Sequence, residues 1–253
     1  RQLEENTGSI VFIDEGNRFL TSKKFAMLVQ NSDNYFVIAT REKLPMLPYS
    51  VQEIYGFRKS GKFHEAKQKY NEIYHLYGEI SVRSEIVPGF IITEDSNSGY
   101  DFFAKLAEQK NIKCISASGK SNVIKKLQDS ENVTETRLVI VDGAAFGSEM
   151  KDVDEYLKVY ENVVLYAPES FEWLLLSSAV IPNAKVEEIL QKPEDYIDCK
   201  EYVSWERFFT AVLTEKTQNS LVWAYSKKKL PKAYLAPKVI GAVKKLMKLV
   251  IWE

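Results

Sequence analysis

The chain has 253 residues, 45% of them hydrophobic and 27% charged, long enough for one large or two small domains and too apolar for extended disorder. Its formal net charge of -1 gives no global attraction to nucleic acid, so any such partner must be held by a local basic patch. Two widely separated cysteines, Cys114 and Cys199, exclude a disulfide framework or a zinc site by spacing, and no apolar run nears the roughly 20 residues that span a bilayer. The expected setting is reducing cytoplasm with no membrane partner.

Taken in chain order, the apolar run Ile10–Asp14, the helically spaced segment Thr21–Gln30 and the run Tyr35–Ala39 predict a βαβ unit. Such continuous runs suit strands buried on both faces of a parallel sheet. Two prolines make Leu44–Pro48 a loop. The polar, basic stretch Lys59–Tyr77 places Phe63, Ala66, Tyr70, Ile73, Tyr74 and Tyr77 near one helical face and predicts a connector helix. It holds both histidines, His64 and His75, read as exposed polar positions. A domain boundary is expected over Gly78–Pro88.

A second series follows, with strands over Phe90–Thr93, Ile112–Ser116, Arg137–Val141 and Val163–Tyr166, and helices over Tyr100–Gln109, Asn122–Gln128 and Asp152–Tyr160. Alternation of this kind predicts parallel sheets flanked by helices, a Rossmann-like three-layer α/β fold. Beyond Pro168 the pattern turns helical, over Ser170–Ser178, Lys185–Leu190 and Trp205–Leu213, and ends in a basic tail. The domains expected are 1–87, 88–180 and 181–253.

Ligands of parallel sheets sit at the carboxyl ends of the strands. Acidic residues lie there: Asp14 and Glu15 in the first unit, then Glu94 and Asp95, Asp142, and Glu169 with Glu172 in the second. Carboxylates converging on one rim can hold Mg²⁺ and serve phosphodiester chemistry. The turn Ser118-Gly119-Lys120-Ser121 lacks the first glycine of a Walker A loop, since Cys114 stands in its place, but it can offer amides and an ammonium to one phosphate. The tail from Ser226 to Trp252 carries Lys227, Lys228, Lys229, Lys232, Lys238, Lys244, Lys245 and Lys248 without one acidic residue. Trp223, Tyr225, Tyr234 and Trp252 interleave with them, so the tail suits either base stacking with phosphate neutralisation or a packed amphipathic helix.

IVFIDE followed by YFVIATRE resembles the second half of a P-loop ATPase: a Walker B strand ending in Asp14 and Glu15, then a sensor strand ending in Thr40 and Arg41. That resemblance implies nucleotide contacts at Asp14, Glu15 and Thr40, with ATP bound only where a longer chain or a partner chain supplies the P-loop, since nine residues precede the strand. From about Pro88 to Ser178 the chain resembles the Toprim domain of topoisomerases, primases and the overcoming-lysogenization-defect nucleases. Glu94 in ITEDSNSGYDFF matches the glutamate ending that family's first strand, and Gly119, Lys120, Ser121 and Asn122 match its Gly-Lys-Ser-Asn turn. Asp142 matches the first aspartate of its Asp-x-Asp motif, whose second is Ala144 here, with Glu149 or Asp152 as substitutes. The resemblance implies a Mg²⁺ site on Glu94, Asp142 and Glu149, with Glu94 as general acid or base and Lys120 on a phosphate. The function it implies is that of a DNA-directed, ATPase-associated nuclease, or else an interaction module that keeps both folds without their chemistry.

Overall fold

The computed structural model of the protein describes residues 7–14, 18–60, 70–82, 84–181, 186–197 and 199–252. Strand β1 (Ile10–Asp14) pairs in parallel with β2 (Tyr35–Ala39), Ile10 opposite Tyr35 and Asp14 opposite Ala39, and helix α1 (Lys23–Gln30) connects them. Ser22 caps α1 by accepting the Phe25 amide, which satisfies one of the helix's free donors. Phe25 then packs with Leu20 and Leu44 against Ile13 and Ile38. Among the described residues only this face is covered. Ile10, Phe12, Tyr35 and Val37 point outward at 50–77% exposure, which corrects the expectation of burial on both faces.

The expected connector helix is also corrected. Strands β3 (Tyr55–Ser60) and β4 (Tyr70–His75) form an antiparallel hairpin, and helix α2 (Leu76–Ile80) starts only after His75. Spacings of three and four residues between Tyr70, Ile73, Tyr74 and Tyr77 mimic a helix. The aromatic and β-branched side chains instead favour a strand once a partner strand supplies cross-strand pairs. Arg58 pairs with Glu72 through two hydrogen bonds of 3.1 and 3.0 Å, and Tyr55 packs on His75. His75 is half-buried with Nε2 enclosed, not an exposed position. Phe63, His64 and Ala66 lie outside the described residues.

The main sheet is parallel, ordered β6 (Lys113–Ser116), β5 (Phe90–Thr93), β7 (Arg137–Ile140), β8 (Val163–Tyr166). Its apolar strands alternate between two cores. Ile91, Leu138 and Ile140 face α3 (Ser98–Gln109), α6 (Phe171–Ser177), α9 (Trp205–Thr217) and α10 (Pro237–Leu246); Phe90, Ile92, Val139 and Val141 face α4 (Val123–Asp129) and α5 (Met150–Leu157). This is a three-layer, Rossmann-like α/β fold with a helical C-terminal region, completed by short helices α7 (Glu187–Gln191) and α8 (Cys199–Tyr202). The polypeptide around 78–88 packs onto this unit: Ser81 bridges to Leu165, Ile86 to Val250, and the Tyr77 hydroxyl accepts the Ala167 amide at 2.7 Å.

Arg137, fully buried, donates to the carbonyls of Leu127 at 3.1 Å and Ser130 at 3.0 Å beyond α4 and to Asn162 Oδ1 at 3.1 Å. Its charge is thus spread over the C-terminal end of a helix, where the backbone dipole favours a cation. In the tail, Tyr225, Tyr234 and Trp252 are buried in the core, and Trp223 packs edge-on against Tyr234 at 5.2 Å. They are therefore core side chains rather than stacking platforms. Among the described residues no helix is long and apolar enough to cross a membrane.

Candidate functional site

In order of appearance the four parallel strands are arranged 2-1-3-4, so the order in which strands are added to the sheet reverses between β5 and β7. Connections leave the sheet on opposite faces there, opening a crevice at the carboxyl ends of those two strands. Glu94 and Asp142 stand at its two sides. The Asp142 amide donates to Glu94 Oε2 at 3.0 Å, and Asp142 Oδ1 accepts the Phe171 amide at 3.0 Å at the start of α6. The crevice is lined by Thr93, Asp95, Gly99, Phe171 and Pro168 beside the pair, and its free volume is about 10 Å³, room for one water.

Burial dominates the electrostatics. It pushes the Glu94 carboxyl up to about 7, reinforced by the charges of Glu206 and Asp95 and opposed by the Asp142 amide and Lys120. Asp142 is raised well above the usual carboxylate range, first by burial and then by Glu206, Glu94 and Glu172, with Lys227 opposing. Asp95 is also raised by burial, although its Oδ2 accepts the amides of Asn97 and Gly99, each at 3.2 Å.

The rest of the rim comes from distant segments. Glu172, in α6 and 1% exposed, accepts the Tyr225 hydroxyl at 2.7 Å on Oε1, and that hydroxyl lies 2.6 Å from Ser98 Oγ. Lys227 forms an ion pair with Glu206 and sits 3.9 Å from Glu172 Oε1. Burial works to lower the affinity of this lysine for its proton, but the carboxylates of Glu172, Glu206 and Asp142 outweigh it and hold the ammonium charged. Sequence reasoning found Glu94, Asp142 and Glu172 at strand and helix ends but missed Ser98, Glu206, Tyr225 and the inward turn of Lys227. The available signal was polar residues set inside apolar stretches, Glu206 among Trp205, Phe208 and Phe209.

Other expected positions border this rim or lie elsewhere. Lys120 donates to the Ala145 carbonyl at 2.8 Å, and Gly119, at φ +121°, passes its amide to the Glu94 carbonyl at 2.8 Å, so the turn braces the loops around the crevice. Ser121 is exposed. Glu149 accepts the Ser148 hydroxyl at 3.1 Å, and Asp152 pairs with Lys43. Ala144 is buried, its amide bonded to the Glu169 carbonyl at 3.0 Å. In the first unit Asp14 is exposed at the end of β1, and Thr40, after the neighbouring β2, accepts the Glu42 amide at 3.0 Å; Glu15 lies outside the described residues. Among the described residues no three histidine, cysteine, aspartate or glutamate groups converge in metal-binding geometry. No protein-family model, curated protein or solved structure matches the chain.

Proposed function

We propose that the chain is the DNA-directed part of an ATPase-associated protein, and that Glu94 and Asp142 form a Mg²⁺-dependent phosphodiester site at the sheet's switch point. The observation that carries this reading is the fixing of two carboxyls across the β5–β7 crevice by the Asp142 amide and the Phe171 amide. The donor chemistry fits: Mg²⁺ takes hard carboxylate oxygens, commonly only one or two from protein, and completes its shell with water and substrate phosphate. Glu94 and Asp142 would hold it, and bound there it would activate water or stabilise the leaving oxygen. Their amide hydrogen bonds orient the two carboxyls before any substrate arrives, while the surrounding apolar side chains limit water access.

The ATPase association is supported by Asp14 at the end of β1 and Thr40 directly after the adjacent parallel β2, and by the outer face of β1 and β2, bare among the described residues. A P-loop core carried by further polypeptide would cover Phe12 and Tyr35 and supply the phosphate cradle this segment lacks. The exposed lysines of the tail, Lys228, Lys229, Lys232, Lys238, Lys245 and Lys248, support a phosphate-backbone contact without base stacking.

Two observations favour the second reading, a non-catalytic interaction module: Ala144 brings no oxygen to the rim, and an ammonium, Lys227, already neutralises it. Titration calorimetry with Mg²⁺ separates the two. The phosphodiester reading expects binding by the parent that is lost in both Glu94→Gln and Asp142→Asn; a folded parent that binds no Mg²⁺, with or without a DNA duplex, leaves the interaction module.

A further inference from the structure

The tail lysines do not all face water. Lys228 and Lys229 are exposed, whereas Lys227 turns inward, pairs with Glu206 and approaches Glu172 to 3.9 Å. Its backbone is held beside the rim, since the Lys227 carbonyl accepts the Ser98 amide at 3.1 Å.

Glu172 carries the second, independent sign. One of its oxygens accepts Tyr225, but Oε2 is enclosed and has no hydrogen-bond partner among the described residues. An enclosed carboxylate oxygen without a donor is unfavourable, and the charges of Glu172, Glu94 and Glu206 all bear on Asp142. Two carboxylates, Glu206 and Glu172, facing one ammonium, with one Glu172 oxygen left over, are better matched to a cation that takes six or more ligands than to an ammonium with three donors.

We propose that Lys227 is a tethered counter-ion occupying a divalent-cation site made by Asp142, Glu172 and Glu206, and that a metal ion enters as this side chain swings out. The inference rests on the Mg²⁺ reading of the rim, shares Asp142 with it and adds Glu172 and Glu206 as ligands. It also accounts for the lack of a converged three-ligand group among the described residues: with an ammonium between them, Glu172 and Glu206 are spread around Lys227 rather than drawn onto a metal. Once displaced, the Lys227 ammonium joins Lys228 and Lys229, so cation entry adds a charge to the exposed basic run.

Two measurements on the full chain test this, with Mn²⁺ as the probe. Labelling of the parent with an amine-reactive ester, read by mass spectrometry, is expected to rise at least fivefold at Lys227 on addition of millimolar Mn²⁺, with Lys228 and Lys229 unchanged. By Mn²⁺ electron paramagnetic resonance, Lys227→Met is expected to bind at least tenfold more tightly than the parent, a gain removed in Lys227→Met/Glu172→Gln. Unchanged Lys227 labelling overturns the inference, as does a folded Lys227→Met that gains no affinity; if that variant does not fold, the labelling of the parent decides. Neither readout involves DNA. A parent that fails to nick DNA yet shows both effects refutes the phosphodiester reading alone, and a parent that nicks DNA with Lys227 labelling unchanged refutes only this inference.

Discussion

At Glu94 the needs of a charged rim and of a buried sheet end oppose each other. Burial raises its carboxyl from 4.5 to about 7, while the Asp142 amide recovers only part of the lost hydration. Between those two values the native chain binds a proton that the unfolded chain has released, so stability falls as pH rises through the window and levels off above about 7. The gap corresponds to about 3 kcal/mol. Glu94→Gln, whose amide oxygen can still accept the Asp142 amide, is therefore expected to match the parent near pH 4 and to exceed it by up to about 3 kcal/mol at pH 8, measured by denaturant unfolding at both values. Equal stability at pH 8 would mean that the carboxyl is well solvated. Glu94 and Asp142 were legible in the sequence because each follows an apolar run, and parallel strands deliver such ends to one side. Tyr225 and Lys227 were not: their contacts with Ser98 and Glu172 span long stretches of chain, and nothing local marks one lysine among eight as the inward one.

Among the elements, the turn after β7 shows how the backbone sets the site. Gly143 follows Asp142 directly, its amide donates to the Pro168 carbonyl at 2.6 Å, and a Cβ added there would lie 2.7 Å from the Ala167 carbonyl oxygen and 2.8 Å from that of Pro168. Those atoms are backbone and cannot turn aside. Gly143→Ala is expected to cost about 2 kcal/mol by forcing the loops after β7 and β8 apart, seen as a lowered unfolding midpoint, with Mg²⁺ binding weakened because Asp142 moves with the loop. An unchanged midpoint would show that the approach is not required. The strands and helices of residues 90–177 follow the apolar pattern to within two residues or so at most ends, because both faces of that sheet are packed. The β3–β4 hairpin was misread because a spacing of three and four suits a helix as well as a twisted, half-covered strand, and only the partner strand decides.

On the scale of the whole molecule, the basic tail is both core and surface. Tyr234, Val239, Ile240, Val243, Met247 and Trp252 join the same hydrophobic cluster as Ile91 and Leu138, so removing the tail would strip one face of the sheet. DNA contact is better tested by reversing charge: Lys228→Glu, Lys229→Glu and Lys232→Glu together alter only exposed positions. In fluorescence anisotropy with a labelled duplex, the triple variant is expected to lose at least tenfold in affinity at low salt and to show a flatter dependence on salt, since fewer counterions are released. Affinity and salt slope equal to the parent's would place the duplex elsewhere.

The most direct test of the central claim is nicking of a supercoiled plasmid by the intact chain with Mg²⁺ or Mn²⁺, beside Glu94→Gln and Asp142→Asn. The account predicts nicking by the parent that stops on chelation of the metal and is absent from both variants while they remain folded. Nicking retained in both variants, or a folded parent that leaves the plasmid intact with either metal, would contradict it.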